Sequence, residues 1–227
     1  MPQLLSFMSH APVFRKLSEP NLKQLATLAV RRNLCKGDLI SFYGDHFPYV
    51  VLVGEGMISI NKESSEGRSL AMRSCPPGSI IWGNALFDGQ PTLGTLCACE
   101  PGYIYQWHGN DILPFLHQNA DALWELCQVL HEQIRFASMT IEKLAFIPLV
   151  NRLAQLLLDQ FVSSHLSPID RTMTLDEMAT KIGTTREVVC RLLHKISDRN
   201  VIQVSRTQFV LVNKIELEKI AGGDCVI

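Results

Sequence analysis

Arg186, Glu187 and Arg191 fall within six residues, in the run TTREVVCRLLHK (184–195). On a helix each residue advances by about 100°. With Arg186 at zero, Cys190 lies near 40°, His194 near 80°, Glu187 near 100° and Arg191 near 140°. Val188, Val189, Leu192, Leu193 and Ile196 fall between about 200° and 340°. One face is therefore apolar, and the other presents two guanidinium forks with a carboxylate between them. A guanidinium gives paired hydrogen bonds to guanine O6 and N7, and a carboxylate accepts from cytosine N4, each good pair discriminating by about 1–3 kcal/mol. The run fits a helix that reads base edges. It equally fits an ordinary amphipathic surface helix with a local ion pair, so the surrounding elements must decide.

Those elements are legible. Thr174 caps a helix, with Glu177 three residues on to complete a capping box. That helix ends at Gly183, where glycine allows a tight turn, and Ala179 leaves room for close packing. The second helix begins near Thr185, so the pair is predicted to be a helix-turn-helix. The segments VIQV (201–204) and FVLV (209–212) read as a β-hairpin wing with Arg206 near its tip, and a last short helix follows Asn213. Upstream, LVNRLAQLLLDQF (149–161) is an amphipathic helix and SSHLSPID (163–170) a loop.

A long helix is predicted to run from Asn119 to a break at Pro148. Leu123, Cys127, Leu130, Ile134, Ala137, Ile141 and Leu144 are spaced 4-3-4-3-4-3, the seam of a two-helix coiled coil, and predict a homodimer. A second stripe, Leu126, Val129, Phe136 and Met139, is expected to pack on the chain's own N-terminal domain. There, SEPNLKQLATLAV (18–30) reads as a short helix with Ser18 as N-cap. Between Leu34 and Trp107, frequent glycines punctuate short β-rich runs: YVVLV (49–53), MISI (57–60), LAMRS (70–74), TLCACE (95–100) and YIYQW (103–107). That texture implies an antiparallel sandwich or roll.

The chain has 227 residues, 47% hydrophobic and 19% charged, with net charge −1, which describes a globular protein. Residues 1–147 carry a net charge of −2 and residues 171–227 of +2, a mild tilt too weak to indicate a nucleic-acid partner by itself. No apolar run reaches the roughly 18 residues of a membrane span, and the N-terminus lacks an export signal, so a cytoplasmic location is expected. The seven scattered cysteines (35, 75, 97, 99, 127, 190, 225) suggest no disulfide framework, and no C-x-x-C pair supports zinc. Cys97 and Cys99, alternate on a strand, are expected to be small core hydrophobes rather than a bridge. An enzyme of the cupin kind needs clustered His and Glu; the roll offers only His46 and His108.

The order of roll, dimer helix and winged helix-turn-helix resembles the CRP/FNR superfamily of bacterial transcription regulators. The resemblance is carried by KGDLI (36–40), GEGMISI (54–60), IEKLAFIPLVNRLAQLLL (141–158) and TTREVVCRLLHKISDRNVI (184–202). It implies an α+β fold: an antiparallel, jelly-roll or cupin-like sensor domain over 1–118, a dimerisation helix over 119–147 and a winged helix-turn-helix over 148–227. It places Arg186, Glu187, Cys190 and Arg191 at base-reading positions, and the Arg/Glu/Arg set looks like that of the branch reading a TGTGA-like half-site. Cys190 stands where another branch has serine, so the base read there stays open. Thr184, Thr185, Lys195 and Arg206 are the candidates for phosphate contacts, which position without specifying. Paired recognition helices fall about 34 Å apart in successive major grooves, so the operator should be a near-palindrome. RNA polymerase is the further partner if the protein activates.

The sensor half departs from the resemblance. In cyclic-AMP-binding relatives a cassette runs Gly-Glu-Leu-Gly and ends Arg-Ser, the Glu holding the ribose and the Arg the phosphate. Here WGNALFDGQPTLGTL (82–96) has Asn84 for the glutamate and Thr92, Leu93 and Gly94 where the arginine should be. No Lys or Arg occurs between Arg73 and Arg135, and an unneutralised buried phosphate costs several kcal/mol. On the long helix Ala137 replaces an adenine-binding threonine, although Ser138 matches. The expectation is no cyclic AMP and no obligate cofactor. An effector pocket, if present, would draw on Trp82, Gly83, Asn84, Leu93, Thr95 and Ser138. Trp82, Trp107 and Trp124 could line it or simply be core. Haem held by Cys75, His108 or His117, or another small effector, stays open; an iron–sulfur centre lacks a cysteine cluster. The remaining alternative is a ligand-binding or dimerisation module that meets protein rather than DNA.

Overall fold

The structure, a computed structural model, describes residues 2–64, 69–164 and 168–223. The chain divides into two compact units, residues 1–62 with 72–138 and residues 63–71 with 139–227.

The first unit begins with α1 (Pro2–His10), a 3-10 turn (Phe14–Lys16) and α2 (Glu19–Leu28). The strands that follow are β1 (Val30–Leu34), β2 (Leu39–Ser41), β3 (Tyr49–Glu55), β4 (Ile58–Glu63), β5 (Ser69–Cys75), β6 (Ile80–Trp82), β7 (Thr95–Ala98) and β8 (Gly102–His108). The short α3 (Ala85–Asp88) interrupts them, and α4 (Gly109–His117) and α5 (Ala120–Phe146) come after. The strands form two four-stranded sheets, ordered β1-β8-β3-β6 and β2-β7-β4-β5, which is the antiparallel roll expected from sequence.

Period-2 alternation explains how the roll is filled. On β3, Val51 and Val53 join Ile81, Ile104, Ile58, Leu96, Ala98 and Cys75 in a core drawn from both sheets. Val50 and Leu52 point the other way, with Trp82, Tyr103, Tyr105 and Trp107, into a second core closed by Met8, Phe14, Leu25, Ile112, Leu116 and Leu126. Trp107 is anchored there by its Nε1–H, which donates to the Leu25 carbonyl at 2.8 Å, and its ring lies 5.3 Å from Phe14. Gly54 is required on β3, because a Cβ there would fall within the Tyr103 ring.

The start of α5 is tied down by a residue the sequence did not mark. Glu125 is buried; its carboxylate accepts from the Val13 amide at 3.1 Å and from Arg15 Nε at 2.6 Å. Val13 has φ 72°, in the left-handed region that a β-branched residue rarely adopts. That contact and the Asn119 bond to the Lys16 carbonyl at 2.9 Å hold the N-terminal segment on the helix.

Several expectations are corrected. Of the second stripe on α5, Leu126 and Val129 join the core, but Phe136 and Met139 are exposed. They lie more than two turns beyond the buried start of the helix. The seam is not uniformly free: Leu123 and Leu130 are half-buried against the first unit's core, while Cys127 is exposed and Ile134 and Ile141 are 66% and 67% exposed. The helix predicted to reach residue 30 stops at Leu28, because Val30 opens β1, an edge strand with only Leu34 buried.

The second unit holds α6 (Leu149–Ser164), β9 (Ile169–Asp170), α7 (Leu175–Ile182), α8 (Arg186–Asp198), β10 (Ile202–Val204), β11 (Gln208–Leu211) and α9 (Lys214–Gly222). Its core joins Leu153, Leu157, Phe161, Met178, Val189, Leu193, Phe209 and Leu217. The predicted loop over 163–170 is corrected at both ends, where α6 runs on to Ser164 and β9 pairs with β11 at Phe209↔Ile169. Residues 165–167 of that loop lie outside the described residues.

Candidate nucleic-acid interface

α7 starts as its sequence dictates. The Thr174 hydroxyl accepts from the Glu177 amide at 3.2 Å, and the Glu177 carboxylate accepts from the Thr174 amide at 2.7 Å, which satisfies two amides the helix start would leave free. The helix ends at Gly183, φ 73° and ψ 48°, whose amide bonds the Ala179 carbonyl. The Thr184 amide also bonds that carbonyl, at 2.9 Å, and the Thr184 side chain is buried. Thr184 therefore builds the turn and is not free to hold a phosphate, a correction of the sequence reading. Thr185 is the N-cap of α8 and stays partly exposed.

On α8 the helical arithmetic holds. Val189, Leu193 and Ile196 are buried, Val188 and Leu192 half-buried, and Arg186, Glu187, Arg191, His194 and Lys195 exposed or partly so. Cys190 is half-buried between the two arginines. The Glu187 carboxyl is held below the usual carboxylate range, first by its own backbone amide, then by the Thr185 hydroxyl and the guanidiniums of Arg186 and Arg191. It is thus ionised and usable as a hydrogen-bond acceptor across the neutral range. Arg186 Nη1 lies 3.5 Å from Asp176 Oδ2 on α7.

The wing is β10 and β11, with Arg206 exposed in the connection. Its turn is built by Ser205, whose Oγ accepts from the amides of Thr207 at 3.3 Å and Gln208 at 2.9 Å. Arg171 braces it by donating to the Ser205 carbonyl at 3.0 Å while its guanidinium lies 5.1 Å over the Phe209 ring. At the base of the helix pair, Arg152 Nη1 donates to the Ile182 carbonyl at 2.5 Å and Nε to the Ile147 carbonyl at 3.0 Å. A Cβ added at Gly183 would sit 3.1 Å from Leu144 Cδ2. Leu144, placed on the seam from sequence, thus packs on the turn. Asp176, Arg152 and Arg171 carry no local signal, because their partners lie across turns and neighbouring elements.

The residues proposed for an effector pocket sit in different surroundings. Trp82 is buried in the core on the side turned from the roll interior, its ring centroid 6.5 Å from that of Phe14 and 6.3 Å from that of the exposed Phe87. Trp107 is core and Trp124 is 67% exposed, so the three tryptophans line no common space. Gly83 is buried, its amide bonded to the Tyr49 carbonyl at 2.9 Å. Asn84 precedes α3, Leu93 is exposed, and the Thr95 hydroxyl accepts from the Tyr43 amide at 3.1 Å. Ser138 is exposed on α5. Thr92, standing where the resemblance calls for arginine, is buried with its amide bonded to the Asp45 carbonyl at 2.8 Å. Of the haem candidates, the Cys75 thiol is buried, and burial pushes its pKa up. His108 caps α4 by accepting from the Asn110 amide, and His117 is exposed. No group of three or more potential metal ligands occurs among the described residues. None of the described helices is long and apolar enough to cross a membrane.

Along the exposed face of α5 runs an open groove of about 870 Å³, lined by Trp124, Cys127, Gln128, His131, Glu132 and Arg135.

Comparison with known proteins places both units. Residues 31–119 match the sequence model of the cyclic nucleotide-binding domain, and residues 151–220 that of the Crp-like helix-turn-helix domain. The cyclic AMP receptor protein of Thermus thermophilus is 24% identical over 216 residues, covering 95% of this chain and 99% of that protein. The solved structure of a transcriptional regulator of the Crp/Fnr family from Eubacterium rectale superposes with TM-score 0.80 at 17% identity, covering 93% of this chain and 98% of the other. The c-di-GMP responsive global regulator CLP of Xanthomonas campestris gives TM-score 0.73 at 18% identity, covering 86% and 99%.

Proposed function

This chain belongs to the CRP/FNR family of DNA-binding transcriptional regulators, and from that premise we propose that it works as a homodimer reading a near-palindromic, TGTGA-like site without cyclic AMP. One observation carries the reading. Arg186, Glu187 and Arg191 stand exposed on one face of α8, while the opposite face is sealed into the second unit's core. Such a helix can enter a major groove without disturbing its own packing. In this reading Arg206 on the wing, Thr185 and Lys195 hold phosphates, a role their exposed or partly exposed side chains support, and Thr184 contributes through the turn alone.

Dimerisation is supported by the exposed Ile134 and Ile141 and by the groove beside Cys127 and His131, which a second α5 would fill. Independence from cyclic AMP is supported by the buried Thr92, which leaves the cassette without a cation. The relatives' ligands do not transfer to a loop so changed. RNA polymerase is the further partner if the bound protein activates.

Selection of bound sequences from random duplex DNA, with purified protein at fixed salt and no added nucleotide, tests this reading. The expected result is an inverted repeat with half-sites one helical turn apart, about 34 Å. No enriched sequence, or enrichment only when cyclic AMP is added, overturns it.

A further inference from the structure

Resting on the base-reading role of Arg186, we infer that Asp176 sets the specificity of this regulator by aiming the Arg186 guanidinium at one base pair while repelling phosphate. The two residues are ten apart in sequence, on different helices. Asp176 is the second residue of α7, in a first turn fixed by the Thr174–Glu177 capping box; Arg186 is the first residue of α8. The Gly183 turn and the paired bonds to the Ala179 carbonyl fix one helix start against the other. The result is the 3.5 Å approach of Nη1 to Oδ2.

Glu177 is spent on the cap, accepting from both the amide and the hydroxyl of Thr174. Glu187 is exposed on the reading face of α8 itself, where it stays available to a base. It is an Asp176 oxygen that reaches Arg186. With side chains 61% and 68% exposed, the pair adds little to folding stability. Its effect belongs to the complex. A long guanidinium side chain is free to turn to a phosphate or to a neighbouring base, and a carboxylate 3.5 Å from one of its nitrogens biases it away from those alternatives. A helix start attracts phosphate through its free amides and dipole, and a negative charge in the first turn opposes that attraction. Asp176 therefore weakens binding to any duplex while sharpening one position, and specificity is gained on both counts.

The test is the same random-duplex selection run in parallel with wild type, Asp176→Asn and Arg186→Ala. Arg186→Ala identifies the base pair that Arg186 reads. Asp176→Asn is expected to reduce discrimination at that pair about three- to tenfold and to leave the other positions unchanged. It is also expected to raise affinity for a duplex lacking the selected site about twofold at low salt. Unchanged discrimination at that pair in Asp176→Asn overturns the inference, and so does an equal loss at every position. If Arg186→Ala leaves the selected pattern intact, the failure is that of the base-reading role itself.

Discussion

The exposed cations of α8 and of the wing divide by what they can discriminate. In the proposed complex the forks of Arg186 and Arg191 distinguish bases, and Arg206 supplies a charge that any phosphate satisfies. Arg186→Ala or Arg191→Ala is therefore expected to cost about 1–3 kcal/mol on the preferred site and little on unrelated duplex. Arg206→Ala should weaken all sequences alike and lower the salt slope by about one. Fluorescence anisotropy over a salt series separates the two outcomes. The Glu187 carboxyl, lowered first by its own amide, remains charged until the pH falls below the ordinary value of 4.5. Discrimination at its base pair should therefore be flat from about pH 8 to pH 5, and a loss near pH 6 would contradict the assigned environment. This triple was legible because its signal is local: helix periodicity alone puts the three side chains on one face. Thr184, Asp176 and Arg152 have no such local signal, because a buried turn residue, an ion pair across a turn and bonds to distant carbonyls depend on the angle between helices.

Among the elements, the strands without a sequence signal are β1, β2, β6 and the two-residue β9. Two of them are three residues long, and β1 is an edge strand whose Val30, Arg31, Arg32 and Asn33 are all exposed, so neither run length nor alternation marks them. β3 and β8 were plain, because each alternates between two cores. On α5 the 4-3 spacing does not tell which turns pack on the chain's own N-terminal domain: about the first three turns, through Leu130, are covered by its core. Glu125 belongs to that covered part, although a lone glutamate there reads as solvated. Burial pushes its carboxyl up, and the stronger combined pull of Arg15, the Val13 amide and Lys16 brings it below the usual range. The folded value is thus the lower one, so the stabilisation is present above the ordinary carboxylate pKa and is lost as pH falls through the folded value. Glu125→Ala leaves a buried amide and Arg15 without their acceptor, and should lower stability by about 1–3 kcal/mol in urea unfolding at pH 7. The gap should shrink in acid, and an undiminished gap there would contradict the pairing.

In the whole molecule, the proposed dimer joins a symmetric seam to a pair of reading helices. Ile134→Asp together with Ile141→Asp places charges on the exposed stripe of α5 and leaves both cores untouched. Sedimentation should then show a monomer with native circular dichroism, and site affinity should fall because one half-site remains. A dimer surviving that change would move the interface elsewhere. A roll that holds no cyclic AMP should also unfold at the same temperature with or without about 1 mM nucleotide, because only a ligand bound to the folded state raises it. The most direct test of the central claim is the ratio of affinities for the selected palindrome and a scrambled duplex, measured at one salt concentration for wild type and for Arg186→Ala/Arg191→Ala. The account predicts a large ratio in the wild type that collapses toward one in the double variant, with scrambled-duplex binding only modestly weaker. A ratio that survives the loss of both guanidiniums would contradict it.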